Sequence, residues 1–390
     1  MRVVYRQDQR LREYLYAFVL CLWQALAAQV AQRVNSRQSS TSVTQTRIPA
    51  DSGRLSRRSP GLLEPPSSRT RRPGYRWKAH HRFSRSGTRI AISEPILQSI
   101  GSDYRHGANF ATLASTVLLP NTSLFVTGIS PFSLAIQLNQ IKELKVRVDE
   151  FHNSSDKRES KRLPSPDIFG KSLYTFYIGQ NDFTSNLKEI GIKGVKQFLP
   201  QVVYQIADTI KELYAIGGRA FWVLNMAPVG CYPAFLAQLP HKISDLDAFG
   251  CLIPYNNAVV YYNKLLKKAL SQARKSLPNA QVIYVDTYSI LLDLSQHPTS
   301  HGLKYGTRAC CGHGGGAYNF DPRAYCGNTK VINGKIVTAT ACSDPQNYVS
   351  WDGIHASEAA NKIITQAILN GSSFYPPFPL HELCDLQPIG

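Results

Sequence analysis

From about residue 94 onward, short apolar runs alternate with amphipathic segments, and this alternation most constrains the fold. The apolar runs predict strands at Leu173–Ile178, Ala220–Leu224 and Gln281–Asp286. The periodic segments predict helices at Gly194–Ile216, Asp247–Ser276, Tyr288–Leu294 and Ser357–Leu369. Strands that are apolar on both faces and alternate with helices are typical of a parallel sheet covered on both sides. The sequence therefore predicts an α/β fold, a three-layer α/β/α sandwich with a parallel sheet.

Charge is spread unevenly along the chain. Residues 1–90 hold 18 Lys and Arg against 4 Asp and Glu, whereas residues 91–390 hold 26 against 22. The basic balance therefore belongs to the N-terminal region, and the folded body is not expected to bind nucleic acid. Residues 32–93 are rich in Ser, Arg, Pro and Thr, which predicts a disordered leader. The alternative is a basic arm for nucleic acid or an anionic membrane.

Residues 1–31 form a signal-like apolar segment. Four arginines precede the mostly apolar stretch Tyr14–Val30, and Ala25–Ala28 offers small residues for cleavage. A fortuitous apolar stretch is the alternative. No other part of the sequence is apolar enough to span a bilayer, so stable membrane insertion is not expected.

The cysteines and glycosylation sequons indicate an oxidising compartment. Seven of the eight cysteines lie after residue 230, and sequons occur at Asn121, Asn153 and Asn370. This pattern favours a secreted, extracellular, disulfide-bonded glycoprotein over a reduced cytosolic protein. Cys231 and Cys251 flank a short excursion that a disulfide could close.

Four further cysteines, at positions 310, 311, 326 and 342, lie in one Cys- and Gly-rich loop, Gly306–Asp344. They allow two bridges in three pairings, and the sequence alone leaves all three open. Because Cys310 and Cys311 are adjacent and no C-x-x-C pair repeats, a zinc site is not expected.

Two short polar motifs indicate hydrolytic chemistry. Gly179–Asp182 directly follows a predicted strand, at the end of a parallel sheet where active residues lie. Its Asn181 can direct a side-chain amide toward a developing oxyanion. In the second motif, Asp352 precedes His355 by three residues, so the carboxylate can fix the imidazole tautomer. The alternatives are a turn or helix cap for the first motif, and a helix cap with a surface histidine for the second.

Together with other motifs, these residues resemble the plant form of the GDSL-type esterase/lipase family, which has the SGNH-hydrolase, flavodoxin-like fold. The resemblance covers about residues 94–388. It is carried by Tyr104–Ala111, Phe176–Phe183, Asn225–Pro233, Tyr255–Asn257, Cys310–Gly314, Tyr318–Asn319 and Tyr348–Ser357. It implies a domain at 94–390 that hydrolyses carboxylic esters through a serine acyl-enzyme, without metal or organic cofactor. The implied substrates are small-molecule esters, or esters of polysaccharides or lipids.

The resemblance also implies roles for four residues. Gly107 matches the family's second block, whose backbone N–H lines the oxyanion hole, and Asn181 matches the third block as a side-chain donor. Asp352 and His355 match the fifth block as orienting acid and general base. We therefore expect the His355 ring within hydrogen-bond reach of Asp352, with Gly107 and Asn181 lining the same cleft.

The family's first block has no counterpart in this chain. It consists of a strand followed by a Gly-Asp-Ser motif, and no Gly-Asp-Ser occurs in the 390 residues. No serine can therefore be identified as the nucleophile. We expect a domain that lacks its first strand and an inactive esterase, or a non-catalytic binding protein that retains the cleft. A competing expectation is that a leader segment, best matched by Leu15–Leu22, fills the vacant strand position. The sequence indicates no oligomeric state.

Overall fold

The structure, a computed structural model, describes residues 1–5, 94–96, 103–120, 129–154, 162–185 and 187–378. Its strands are β1 Arg2–Tyr5, β2 Glu94–Pro95, β3 Gly107–Asn109, β4 Ser172–Phe176, β5 Ala220–Leu224, β6 Gln281–Val285, β7 Tyr305–Ala309, β8 Thr329–Ile332, β9 Lys335–Thr338, β10 Tyr348–Ser350 and β11 Phe374–Tyr375. Its α-helices are α1 Leu134–Asn153, α2 Ile168–Lys171, α3 Gln180–Ser185, α4 Leu187–Ala215, α5 Pro233–Gln238, α6 Ile253–Ser276, α7 Thr287–Gln296 and α8 Glu358–Leu369.

Seven strands form one sheet in the order β11-β6-β5-β4-β1-β3-β2. β4, β5 and β6 are mutually parallel. β3 runs in the same direction, because β3 and β4 are both antiparallel to β1, which lies between them. β11 closes the far edge in the antiparallel direction. The carboxyl ends of β3, β4, β5 and β6 therefore meet at one edge of the sheet.

Helices cover both faces of the sheet, because successive strand side chains point to opposite sides. One face packs against α1, α4 and α6 through strand residues Tyr174, Phe176, Phe221, Val223, Val282 and Tyr284. The other face packs against α7 and α8 through Leu173, Trp222, Leu224, Ile283 and Val285. The predicted three-layer α/β/α sandwich is therefore confirmed. No helix in the described part of the chain is both long and apolar enough to cross a bilayer.

The strand position beside β4 is filled, although the chain contains no Gly-Asp-Ser motif. Arg2–Tyr5 occupies it and pairs antiparallel with β4 on one side and with β3 on the other. The expectation of a missing first strand therefore needs correction: the backbone of β4 has a partner, but one of opposite direction. The competing candidate for this position, Leu15–Leu22, lies outside the described residues, as does the predicted leader at 32–90.

One helix begins later than its periodicity predicts. The segment expected to be helical from Asp247 becomes a helix only at Ile253. The intervening residues form a turn in which the Asp247 carboxylate accepts the N–H groups of Phe249 and Cys251, each at 2.9 Å. The Cys231–Cys251 disulfide closes this excursion, so a local turn replaces the first helical turns.

The Cys- and Gly-rich loop is more regular than the sequence analysis expects. Its four cysteines pair as Cys310–Cys342 and Cys311–Cys326, one of the three possible pairings. Between them, β8 and β9 form an antiparallel hairpin. The Asn333-Gly334 dipeptide at its turn is a strong hairpin signal, and it could have predicted this element.

The central position of β1 generates the first prediction. Strand amides bonded on both sides exchange slowly, so the amides of Val3 and Val4 should be protected to a similar degree as those of Leu173–Phe176. Hydrogen exchange followed by mass spectrometry measures both segments in one experiment. The Val3→Pro variant, which removes a donor from the middle of a sheet, should destabilise the chain by about 3 kcal/mol in urea unfolding. Val3→Thr, which keeps the N–H, is the matched control. Fast exchange at Val3 and Val4 beside a protected β4 would contradict this placement.

Candidate active site

Asp352 and His355 form a hydrogen-bonded pair in the loop between β10 and α8. The His355 Nδ1 lies 2.7 Å from the Asp352 Oδ2. The other carboxylate oxygen, Oδ1, accepts the backbone N–H of His355 at 2.8 Å and that of Ile354 at 3.0 Å. The predicted contact is therefore present. Asp352 does not cap the helix, which was the alternative, because Ser357 caps α8 by accepting the Ala360 N–H.

Neighbouring groups hold this loop from three sides. The buried Ser350 hydroxyl oxygen accepts the Gly353 N–H at 3.0 Å. The Gly353 carbonyl accepts the N–H of Ala234, which follows β5 on α5, at 3.0 Å. Gly353 has φ of 99°, and a Cβ there would lie 2.6 Å from the Phe320 ring. Only glycine fits this position, since both its backbone angle and its contact with Phe320 exclude a side chain.

The pKa values of the pair favour an ion pair. Burial alone would raise the pKa of Asp352, but the charge of His355, their hydrogen bond and the two backbone N–H groups outweigh it and lower that pKa. Burial alone would lower the pKa of His355, but the Asp352 charge and hydrogen bond raise it. The carboxylate thus fixes the Nδ1–H tautomer and stabilises the imidazolium. The Nε2 has no hydrogen-bond partner among the described residues, so it is available to a substrate or nucleophile.

Asn181 and Asp182 bind the segment that follows β3. Asn181 Nδ2 donates to the Ser115 carbonyl at 2.8 Å. The buried Asp182 carboxylate accepts the N–H groups of Val117 at 2.7 Å and Leu118 at 3.0 Å. Neither side chain caps a helix, which was the alternative reading of this motif. Together they tie residues 115–118 to the start of α3, at the carboxyl edge of the sheet.

Burial determines the protonation of Asp182. It raises the pKa of this carboxyl from its usual value near 3.8 to about 6, while the N–H groups of Leu118 and Val117 oppose that shift. Among the described residues no cation contributes to this shift, whereas the charge of His355 lowers the pKa of Asp352. Asp182 therefore carries its charge less readily than an ordinary carboxylate.

Two tyrosines connect the Asn181 edge with the Asp352–His355 loop. Tyr177 follows β4, and burial raises its pKa to about 12 although a hydrogen bond to Gln180 opposes the shift. Tyr232 follows β5, and burial raises its pKa, with added contributions from the nearby Tyr177 and Asp352. Gly179, between Tyr177 and Asn181, has the predicted positive φ, of 113°. The structure therefore brings Asn181, Asp352 and His355 to the same edge of the sheet.

Gly107 is not brought to this edge. It lies at the amino end of β3, where it is opposite Val4, and Val4 is in turn opposite Leu173 near the start of β4. Its backbone N–H donates to the Tyr104 carbonyl. The expectation that Gly107 and Asn181 line one cleft is therefore not met, because Gly107 lies at the amino end of β3 whereas Asn181 follows the carboxyl end of β4, and the two strands run in the same direction on either side of β1. An oxyanion role for Gly107 remains only an implication of the family resemblance.

The segment after β3 lies where an oxyanion donor would be expected instead. Ala114 adopts φ of 61°, in the left-handed region that costs a non-glycine residue about 1 kcal/mol. Its carbonyl accepts the Ser130 N–H at 3.0 Å, and Ser130 Oγ in turn lies 3.1 Å from Thr112 Oγ1. Sequence reasoning missed this segment because its sequence lacks the glycine that usually marks such a turn. Within the described ranges, no group of three or more His, Cys, Asp or Glu could hold a metal ion.

Comparisons with known proteins agree on the family. The sequence profile described as GDSL-like Lipase/Acylhydrolase matches residues 68–368. A GDSL esterase/lipase of Arabidopsis thaliana is 69% identical over 290 residues, covering 74% of this chain and 76% of that protein. Alpha-L-fucosidase 3 of the same plant is 39% identical over 286 residues, 71% and 75% of the two chains. GDSL esterase/lipase ACHE of Zea mays is 37% identical over 290 residues, 74% and 73%.

The fold and the Asp352–His355 pair thus define a hydrolase of the α/β/α class. This chain belongs to the GDSL lipase/acylhydrolase family. The profile begins at residue 68, within the predicted leader at 32–93, whereas the described sheet resumes at Glu94.

Asp182 generates a prediction about stability and pH. The folded-state pKa of Asp182, about 6, exceeds the usual 3.8. Its favourable contribution to the free energy of unfolding is therefore complete below about pH 3.8 and is lost as pH rises through about 6. The loss corresponds to about 3 kcal/mol of unfolding free energy. In Asp182→Asn, which cannot ionise, this part of the pH dependence should vanish. Urea unfolding of both proteins across this pH range gives the difference, and parallel pH profiles would contradict the assignment.

The Asp352–His355 pair generates a further prediction. In Asp352→Asn the attraction that raises the pKa of His355 is lost while burial remains, so that pKa should fall below its usual value of 6.5. Titration of the His355 ring by NMR measures it, with His355→Gln to assign the resonance. An unchanged His355 titration would exclude Asp352 as its main partner.

Proposed function

We propose that this chain descends from serine ester hydrolases and keeps their acid, base and oxyanion donor without an identifiable nucleophile. The observation that carries this proposal is the 2.7 Å contact of His355 Nδ1 with Asp352, whose second oxygen is held by two backbone N–H groups. The substrate class that the family implies is a small-molecule carboxylic ester. Esters of polysaccharides or lipids fall within the same chemistry.

The chemistry of a complete site follows from these groups. His355 Nε2 would take the proton of a serine hydroxyl as the serine oxygen bonds to the ester carbonyl carbon. Asp352 would stabilise the resulting imidazolium, and the Asn181 amide would donate to the oxyanion. The imidazolium would then protonate the leaving alcohol as the C–O bond breaks. His355 would then take a proton from a water molecule as the water oxygen bonds to the acyl carbon. The imidazolium would return that proton to the serine oxygen as the acid leaves.

The direction of β1 supports the proposal that the nucleophile is missing. A parallel strand in this position would deliver its following residues to the carboxyl edge, beside Asn181 and His355. β1 is antiparallel, so Tyr5, its last residue, lies at the opposite, amino edge. Loss of the nucleophile from a site of this kind costs on the order of 10⁶ in turnover. We therefore propose that the chain does not hydrolyse esters at an enzymatic rate.

A non-catalytic binding role is the second candidate. The observation in its favour is that the Asp352–His355 pair and the Asn181–Asp182 contacts keep ordinary hydrogen-bond lengths without any Gly-Asp-Ser motif in the chain.

We also propose secretion and N-glycosylation. Asn370 supports this, because the sequon asparagine is exposed at the end of α8.

An activity assay tests the proposal. The chain should hydrolyse p-nitrophenyl acetate no faster than its His355→Ala variant, because a base without a nucleophile gives little acceleration. It should also fail to react with a fluorophosphonate probe, which labels activated serines. An authentic serine esterase is the positive control, and near-UV circular dichroism checks that both proteins are folded. Stoichiometric labelling of one serine, absent in His355→Ala, would overturn the proposal and identify a surrogate nucleophile.

A further inference from the structure

The β8–β9 hairpin exposes two large aliphatic side chains. Val331 and Ile336 are directly opposite each other across the two strands. Their side chains are 71% and 79% exposed. The turn residues Asn333 and Gly334 have φ of 51° and 76°, which suits a two-residue turn of type I′. Within the described part of the chain nothing covers this apolar pair, and exposed apolar surface can mark an interaction site.

The hairpin is also basic. Lys330 precedes Val331 and Lys335 precedes Ile336, and both lysines are exposed. Between Pro322 and Ser343 the sequence contains no Asp or Glu. Within the described ranges neither lysine has an ion-pair partner, whereas nearby Arg323 is paired with Asp321 at 2.7 Å. Positive charge that is not neutralised therefore lies beside the aliphatic pair.

The base of the hairpin is fixed to the loop that carries Asp352 and His355. Cys326, just before β8, is bonded to Cys311. The Cys311 N–H donates to the Trp351 carbonyl at 2.6 Å, next to Asp352. The Gly312 N–H donates to Thr340, just after β9, at 3.2 Å. A surface that binds the hairpin would therefore lie close to the candidate active edge.

We propose that the β8–β9 hairpin docks on an anionic lipid surface. Val331 and Ile336 enter the boundary between headgroups and acyl chains, where aliphatic burial is favourable. Lys330 and Lys335 leave from the other face of the ribbon, since alternate residues point to opposite faces. Their long stems let the ammonium groups reach the headgroup phosphates around the edge of a two-stranded ribbon. This role needs no nucleophile and therefore stands apart from the proposed hydrolytic function.

A second copy of the chain fits this surface less well. In a twofold contact the aliphatic pair meets itself, and the lysines on the other face of each ribbon stay in solvent, so such a contact makes no use of their charge. An anionic lipid surface instead attracts each lysine, by about 1 kcal/mol, or about fivefold in affinity. The combination of exposed aliphatic residues with unpaired lysines therefore favours lipid.

The test needs a readout confined to the hairpin. Residues 1–90 bring 18 Lys and Arg, which would hold the full chain on any anionic vesicle. We therefore compare hydrogen exchange of residues 327–340 in the full chain, with and without vesicles. Vesicles of phosphatidylcholine with phosphatidylglycerol should slow exchange in the hairpin, and vesicles of phosphatidylcholine alone should not. Unchanged exchange at saturating anionic vesicles, or equal protection by both vesicles, overturns the proposal.

Matched variants complete the design. The double variant Val331→Ser, Ile336→Ser should lose the vesicle-induced protection. Lys330→Gln with Lys335→Gln should lower the ratio of docked to undocked hairpin, read from exchange of residues 327–340 on anionic vesicles, about twenty-five-fold, from about fivefold per lysine. Ile243→Ser, at a site 90% exposed outside the hairpin, should behave as wild type. Equal thermal midpoints show that all variants are folded. Hairpin protection without vesicles that disappears on dilution would instead indicate a second copy and overturn the lipid assignment.

Discussion

The backbone of β4 is the constraint on which the rest of the structure depends. β4 lies in the middle of the sheet, all five of its residues are buried, and its N–H and C=O groups need partners on both sides. β5 satisfies one side in parallel, and Arg2–Tyr5 satisfies the other in the antiparallel direction. This pairing preserves the hydrogen bonds of the sheet but reverses the direction of the chain. A parallel strand in this position would end at the carboxyl edge of the sheet, whereas Arg2–Tyr5 ends at the amino edge.

Two carboxylates organise that carboxyl edge, and their surroundings drive their pKa values apart. Both accept two backbone N–H groups, so hydrogen bonding to the backbone does not distinguish them. Asp352 also faces the His355 imidazole, which lowers its pKa despite burial. Asp182 has no such cationic partner among the described residues, so burial dominates and raises its pKa to about 6. The first is suited to stabilise a positive charge, and the second to fix the position of a loop.

The sequence predicts the parts of this structure that depend on local patterns. The buried runs give β4, β5 and β6, and the D-x-x-H spacing gives the contact of Asp352 with His355, because three residues in a turn limit where the side chains can meet. Pairings between strands that are distant in the sequence cannot be predicted from such local patterns. Neither the placement of Arg2–Tyr5 nor that of Gly107 at the amino edge follows from composition, since both are set by strand direction. The late start of α6 has a similar origin, because a distant Cys231 closes the turn at Cys251.

The loop between β7 and β10 links the β8–β9 hairpin, the proposed lipid-docking surface, to the loop that carries Asp352 and His355. Its disulfides join residues 15 and 32 positions apart, so the chain between them has few ways to move relative to the Cys310–Cys311 pair. The backbone N–H groups of Cys310 and Cys311 donate hydrogen bonds to the carbonyls of Ser350 and Trp351, immediately before Asp352. A rigid loop of this kind fixes the hairpin relative to His355. Such stiffness adds nothing to acyl transfer itself, since proton transfer involves only His355 and its partners. The stiffness of the loop would matter for an ester held in a lipid surface, because the protein would then fix the distance between that surface and His355.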